Sequence, residues 1–238
     1  LQHQLAWINN IITYAKDCVF TWNTENYLDL PYVKFPKYKK IKKMYSVAAA
    51  FKPNMILNTF GFDESTEVTY FDYSKQALAY KRMLLEHWDG EDYPSFIQWA
   101  RSKYAMNETA GTRTENETPD DLWVRELNYW GSEKTLKNHW QNYKTLEHKY
   151  IHCDVLVIGA GIAGIVAAKT AAKNGYKTLL VDEKPYLGGS TIYQNSEHFK
   201  INNQISSSWL EKEINEIKKI ENLEIKTRTS VAAFHGYN

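Results

Sequence analysis

Cysteine is nearly missing: Cys18 and Cys153 are the only two in 238 residues, and they form no C-x-x-C pair. Neither a disulfide scaffold nor a cysteine-rich metal centre can be built from them, and a reducing cytoplasm suits such a chain. One-sided charge is missing too. The formal net charge is +1, so no global field points to a nucleic acid or membrane partner. The longest nearly apolar run, residues 155–168, is 14 residues long, carries three glycines and is bracketed by Asp154 and Lys169. That falls short of the roughly 20 residues needed to cross a bilayer. No leader pattern opens the sequence at Leu1, and Asn107-Glu-Thr and Asn116-Glu-Thr read as chance matches to the short glycosylation pattern. With 43% apolar residues and a mean hydropathy of −0.55, the composition is that of a globular chain with one large domain or two modest ones.

What is present grows more legible along the chain. Leu5, Ile8, Ile11, Ile12 and Ala15 recur at roughly helical spacing, until Pro31 and Pro36 break the pattern. Lys34, Lys37, Lys39, Lys40, Lys42 and Lys43, interleaved with Tyr32, Phe35 and Tyr38, read as a solvated lysine face rather than a phosphate-backbone contact. "MILNTF" (55–60) and "EVTYFDYS" (67–74) predict short buried strands on either side of a turn at 61–65. Ser74 is a natural N-cap for a following helix, whose apolar face uses Ala77, Leu78, Leu84, Leu85 and Trp88. Asp72, at a strand end before that helix, is where an acid meets the ribose of a nucleotide or of S-adenosylmethionine. The preceding segment offers "NTFGFDE" in place of a glycine-rich loop, which favours a plain strand–helix unit. Residues 102–119 are polar and aperiodic, as in a linker. Thr118-Pro119-Asp120-Asp121 then starts a helix, with a cap, a proline in the first turn and acids facing the dipole. Trp123, Leu127, Trp130, Leu136, Trp140 and Tyr143 give one or two aromatic-rich helices, a stripe that serves as core or as a docking face.

The chemistry lies in "HCDVLVIGAGIAGIVAAKT", from His152. Val155 to Ile158 is the continuous apolar run expected of a parallel strand covered on both faces. Gly159 permits a tight turn, Gly161 lets main chain approach a diphosphate, and Gly164 lets helix and strand pack closely. The alanine-rich helix expected over 162–174 ends at Gly175, and its first-turn amides face the loop, where a doubly charged group would rest. A second strand, "KTLLVDE", brings Glu183 19 residues after Gly164, the distance at which an acid meets the adenosine ribose. Lys184 beside it softens but does not reverse the repulsion of a 2′-phosphate. "KPYLGGS" adds the Gly188-Gly189 pair typical of the extended flavoprotein version of the motif. The fold class expected is α/β. An incomplete Rossmann-type parallel sheet would occupy residues 151–238, preceded by a separate mixed α/β region (1–105) and a helical connector (106–150).

The order "HCDVLVIGAGIAG…VDEKPYLGGS…TRTSVAAFHGYN" resembles the alpha subunits of heterotetrameric sarcosine oxidases, over about 90 residues from near Tyr150 to Asn238. In that family the complex demethylates sarcosine oxidatively with FAD, FMN and NAD. Its alpha subunit holds NAD in the nucleotide domain, and the amine is oxidised at a flavin on the beta subunit. The resemblance implies NAD or FAD as the cofactor and other subunits as partners. By position it places Gly159, Gly161, Ala163 and Gly164 around the diphosphate, and Asp182, Glu183 and Lys184 around the adenosine ribose. Ser190 follows the glycine pair at Gly189, and Val231, ending a third strand "EIKTRTSV", would offer main chain to the adenine. An amphipathic helix over 209–220, apolar through Leu210, Ile214 and Ile217, is the expected second crossover.

Departures from the family bear on function. The N-terminal ferredoxin-like sheet of family members has no counterpart traceable in residues 1–118, and family members continue far past the last strand seen here. A fragment that lacks chemistry alone is therefore expected. No catalytic group announces itself: "GGSTIYQNSEHF" lacks the redox cysteines of flavin-disulfide reductases, and His152, His198 and His235 have no partners at metal-ligand or triad spacing. Two alternatives stay open. One is a nucleotide-binding remnant without turnover; the other is an N-terminal transferase-like or binding domain joined to a Rossmann unit.

Overall fold

The computed structural model describes residues 18–22, 40–104, 106–109, 118–193 and 199–229. The chain divides into two compact units, Leu1–His152 and Cys153–Asn238.

In the first unit, β2 (Lys43–Val47), β3 (Glu67–Asp72) and β5 (Glu147–His152) form a parallel sheet with β3 in the centre. Phe71 pairs with Val47 on one side and Ile151 on the other, so Asp72 sits at the carboxyl edge beside His152. A second parallel pair joins β1 (Cys18–Phe20) to β4 (Asn107–Thr109), inside the stretch that read as linker. Parallel neighbours need crossover connections, and helices supply them. The first, α1 (Lys52–Phe60), replaces the strand expected at "MILNTF". Pro53 fits the first helical turn, where its missing N–H costs nothing, and Met55 and Leu57 are both buried. A run of six mostly apolar residues carries no periodicity long enough to separate strand from helix, and packing decided for helix. Next comes α2 (Lys75–His87), whose N-cap Ser74 hydroxyl accepts from the Ala77 amide at 3.0 Å, as expected.

Then follow α3 (Tyr93–Lys103), α4 (Pro119–Trp130) and α5 (Glu133–Tyr143). The start of α4 closes a capping box: the Thr118 hydroxyl accepts from the Asp121 amide, and the Asp121 carboxylate accepts from the Thr118 amide. Helices α4 and α5 belong to the unit's core through Leu122, Trp130, Leu136, Trp140 and Tyr143. Aromatic rings meet there. Trp88 lies 4.8 Å from Trp140 and 5.2 Å from Phe51, and Phe51 lies 4.7 Å from Tyr93.

The second unit is a parallel sheet in the order β10 (Leu223–Lys226), β7 (Thr178–Val181), β6 (Val155–Ile158). Helix α6 (Ile162–Lys173) connects β6 to β7, and α7 (Ser206–Ile217) precedes β10. This is the α/β, Rossmann-type arrangement expected. Alanines on α6 bring helix and sheet together: Ile165, Ala168 and Ala172 pack with Leu180, Leu210, Ile217 and Leu223. Lys169 of α6 bonds Glu213 and Glu216 of α7, each at 2.6 Å, which fixes the two helices side by side. A small antiparallel pair, β8 (Lys200–Ile201) and β9 (Gln204–Ile205), turns through Asn202 and Asn203, both left-handed, as a two-residue hairpin requires. Strand β10 ends at Lys226, short of the strand expected to reach Val231, and Arg228 after it is left-handed at φ 54°. Among the described residues no helix is long and apolar enough to cross a membrane.

Candidate functional site

At the carboxyl end of β6 the chain bends into α6 through Gly159, Ala160 and Gly161. The Gly159 amide donates to the Val181 carbonyl at 2.8 Å, holding the bend to the end of β7. The three glycines of the motif have three different reasons to lack a side chain. Gly159 has φ +91°, a conformation that L side chains rarely adopt. A Cβ on Gly164 would lie 1.8 Å from the Gly159 carbonyl oxygen, so helix and loop are in contact there. Gly161 has neither reason. Its φ is −71°, and a Cβ built on it would meet nothing within 4 Å. A methyl group at that position would meet open space. Gly161 is also the N-cap of α6 and supplies no side-chain cap, so the positive end of the helix is left to the loop's surroundings.

The glycine pair closes the other side. The Gly188 amide donates to the Ala160 carbonyl at 2.7 Å, and a Cβ on Gly189 would come within 3.0 Å of Gly161 Cα. Ser190 is exposed in the short 3-10 turn that follows (Gly189–Tyr193), and Ala163 is exposed on the first turn of α6. The acids after β7 point to different tasks. Glu183 stands in solvent, its carboxylate 2.9 Å from the Lys184 ammonium, which that contact holds above its ordinary pKa. Asp182 instead accepts from two main-chain amides: Oδ2 from Ala160 at 2.5 Å and Oδ1 from Lys184 at 2.7 Å. The spacing from Gly164 singled out Glu183 for the ribose; the inward task of Asp182 depends in part on the Ala160 amide, 22 residues away, which no local pattern announces. Next to them the Tyr186 and Tyr193 hydroxyls bond one another.

Of the residues singled out from sequence, Gly159, Gly161, Asp182, Glu183 and Lys184 lie on the loops at this end of β6 and β7, Ala163 and Gly164 on the first turn of α6, and Gly189 and Ser190 in the 3-10 turn. Val231, His198 and His235 lie outside the described residues. A groove of about 310 Å³ in the same unit, lined by Leu187, Thr191, Ile192, Leu210 and Ile214, includes none of the glycine-loop residues. In the first unit, Asp72 does not present a free carboxylate. Oδ2 accepts from Ala48 at 3.1 Å, Oδ1 from Ser74 at 2.9 Å, and burial pushes its pKa up. His152 has its ring nitrogen 3.2 Å from the Tyr73 carbonyl, and no group of three metal-ligating side chains occurs among the described residues.

A parallel strand, a glycine bend, an uncapped helix start and a second strand ending in acids define the dinucleotide-binding class of α/β unit. Residues 154–235 match the family of FAD dependent oxidoreductases. Over 92 residues the chain is 35% identical to the sarcosine oxidase subunit alpha of Corynebacterium sp. (strain P-1), covering 39% of this chain and 9% of that protein. The corresponding subunit of Rhizobium meliloti is 33% identical over the same share of each chain. A 3-oxosteroid 1-dehydrogenase of Mycolicibacterium smegmatis is 46% identical over 52 residues, 22% of this chain and 9% of that one. The chain thus spans about a tenth of the length of these relatives. The family match, residues 154–235, falls in the second unit.

Proposed function

We propose that the second unit binds FAD through its ADP half, as the nucleotide-binding portion of an amine-oxidising flavoenzyme similar to sarcosine oxidase. Gly161 carries this reading. Neither backbone strain nor packing explains its missing side chain, whereas a diphosphate brought against the main chain does. The open space over Gly161 and the uncapped start of α6 fit an anionic group. Gly161, Ala163 and the neighbouring first-turn amides would hold the diphosphate. Glu183 would accept from the ribose hydroxyls, with the Lys184 ammonium beside it at 2.9 Å. Ser190 and the Gly189 main chain would border the same space, with Val231 toward the adenine. When bound, FAD supplies the two-electron acceptor, and the protein's part is to bind, orient and exclude water. NAD shares the ADP half that these residues read, so it is the competing ligand. Turnover on an amine such as sarcosine, other subunits as partners and a reducing cytoplasmic setting belong to this same proposal; both cysteines, Cys18 and Cys153, are buried and form no disulfide.

The test is calorimetric titration of the full chain with FAD, ADP, NAD and NADP. Binding of FAD and ADP should fall sharply with Gly161→Val and with Glu183→Ala. Unchanged affinity in both variants defeats the reading, and preference for NAD over FAD reassigns the cofactor.

A further inference from the structure

We propose that Asp182 is a positioning residue: it ties the diphosphate loop to the ribose loop through the Ala160 and Lys184 amides, and does not itself touch the ligand. The inference rests on the nucleotide-binding reading above. Each polar group of Asp182 is committed to main chain. Its carboxylate accepts from Ala160 (2.5 Å) and from Lys184 (2.7 Å), its amide donates to the Lys226 carbonyl (2.9 Å), and its carbonyl accepts from the Thr229 amide (2.8 Å). Three segments therefore meet on one residue: the glycine bend, the acid loop and the turn after β10. The Arg228 amide adds a bond to the Lys184 carbonyl at 3.0 Å.

The consequence for Ala160 is specific. Its N–H is held by Asp182 and its C=O by Gly188, so the peptide planes on both sides of this residue are locked. An amide turned toward Asp182 cannot also serve a phosphate. The amides left to do so are those that follow, at Gly161 and the first turn of α6, and their direction is set before any ligand arrives. Fixing donors in advance lowers the ordering cost of binding.

The first unit contains the same tie in an unrelated sequence. Asp72, ending β3, accepts from Ala48 in the bend after β2 and from Ser74 two residues on, as Asp182 does from Ala160 and Lys184. There the bend reads "AAAFK", without a glycine, and the Lys81 ammonium bonds the Ala50 carbonyl inside it. The carboxylate tie is thus a way of fixing a strand–helix bend to the neighbouring strand end, with or without a cradle. In the second unit the bend it fixes is the one with open space over Gly161.

Two probes separate this role from direct contact: ADP and inorganic pyrophosphate, titrated into the full chain. Glu183→Ala should weaken ADP and leave pyrophosphate unchanged, since it removes a ribose contact only. Asp182→Asn should weaken both, by ~10-fold or more, because a loop that moves loses charge-assisted hydrogen bonds. Amide hydrogen exchange read without ligand should quicken at Ala160 and Lys184 in Asp182→Asn while Leu180, within the β7 ladder, stays protected. Pyrophosphate binding that is unchanged in Asp182→Asn overturns the proposal. So does exchange that quickens at Leu180 as much as at Ala160, which would make Asp182 a residue of the fold and not of the site. If the unaltered chain binds neither probe, or Gly161→Val changes nothing, the nucleotide reading fails, and the exchange measurement still decides whether Asp182 ties the two loops.

Discussion

Replacing the motif glycines one at a time by alanine separates what the fold needs from what a ligand needs. At Gly164 the new methyl would stand 1.8 Å from the Gly159 carbonyl oxygen, a main-chain atom that cannot swing aside. Overpacking of that kind costs about 1–3 kcal/mol. In a unit of this size each kcal/mol lowers Tm by roughly 4–8 °C, so a fall of about 4–24 °C is expected in the unfolding transition of the second unit. At Gly159, φ +91° makes alanine strained, at a cost of about 1–3 kcal/mol. At Gly161 alanine meets no atom within 4 Å and no strain. The loss of unfolded-state freedom stabilises by about 0.4–1 kcal/mol, and alanine's poorer N-cap offsets a few tenths of it. Stability should therefore stay nearly level at this position. Binding should not: pushing a diphosphate off the main chain by the thickness of a methyl group forfeits one or two charge-assisted hydrogen bonds. At about 1.5–3 kcal/mol each, that is a tenfold to more than hundredfold loss of ADP affinity. The assay is paired calorimetry and thermal unfolding on all three variants. A stable Gly161→Ala protein that binds ADP and FAD as tightly as the unaltered chain would refute the reasoning.

Three further outcomes concern the first unit. Lys81 is fully buried, and desolvation lowers its pKa from 10.5 to about 7, so between those values the unfolded chain binds more protons than the folded one. Urea unfolding followed by tryptophan fluorescence should show stability rising from pH 7 toward pH 9, by at most ~1.4 kcal/mol per pH unit, and Lys81→Met should flatten the rise. Burial lowers His139 and His148 from 6.5 to about 4, so stability should fall as pH drops from about 6.5 to 4, where both must charge in the unfolded chain first. A level acid limb over that range would contradict the buried, neutral state of the two rings. Thr118→Ala removes the capping box at α4 and should cost about 1 kcal/mol in the same urea assay.

Legibility varied along the chain for identifiable reasons. The β6–α6–β7 segment could be read because its signals are local: a continuous apolar strand, glycines at fixed offsets and a C-terminal glycine stop at Gly175. Ser74 and Thr118 were readable for the same reason, since a cap acts within three residues. "MILNTF" was not, because six mostly apolar residues suit a buried strand and a buried helix equally until their neighbours are known. Helix α3 carries its own local cap–proline signature at Asp92-Tyr93-Pro94, and the Asp92 carboxylate accepts from the Ser95 amide at 3.2 Å. The pairing of β4 with β1 joins segments some ninety residues apart, and no local pattern announces such a pairing.

The amino-acid order alone determined the nucleotide-type bend, its glycines and the acid that follows, because backbone conformation, caps and strand–helix alternation depend on near neighbours. Tertiary structure alone decided that the Asp182 carboxylate turns inward onto the Ala160 amide and that the Gly188 amide closes on the Ala160 carbonyl. Those contacts join Ala160 to residues 22 and 28 positions further on, and such meetings exist only once the sheet has formed.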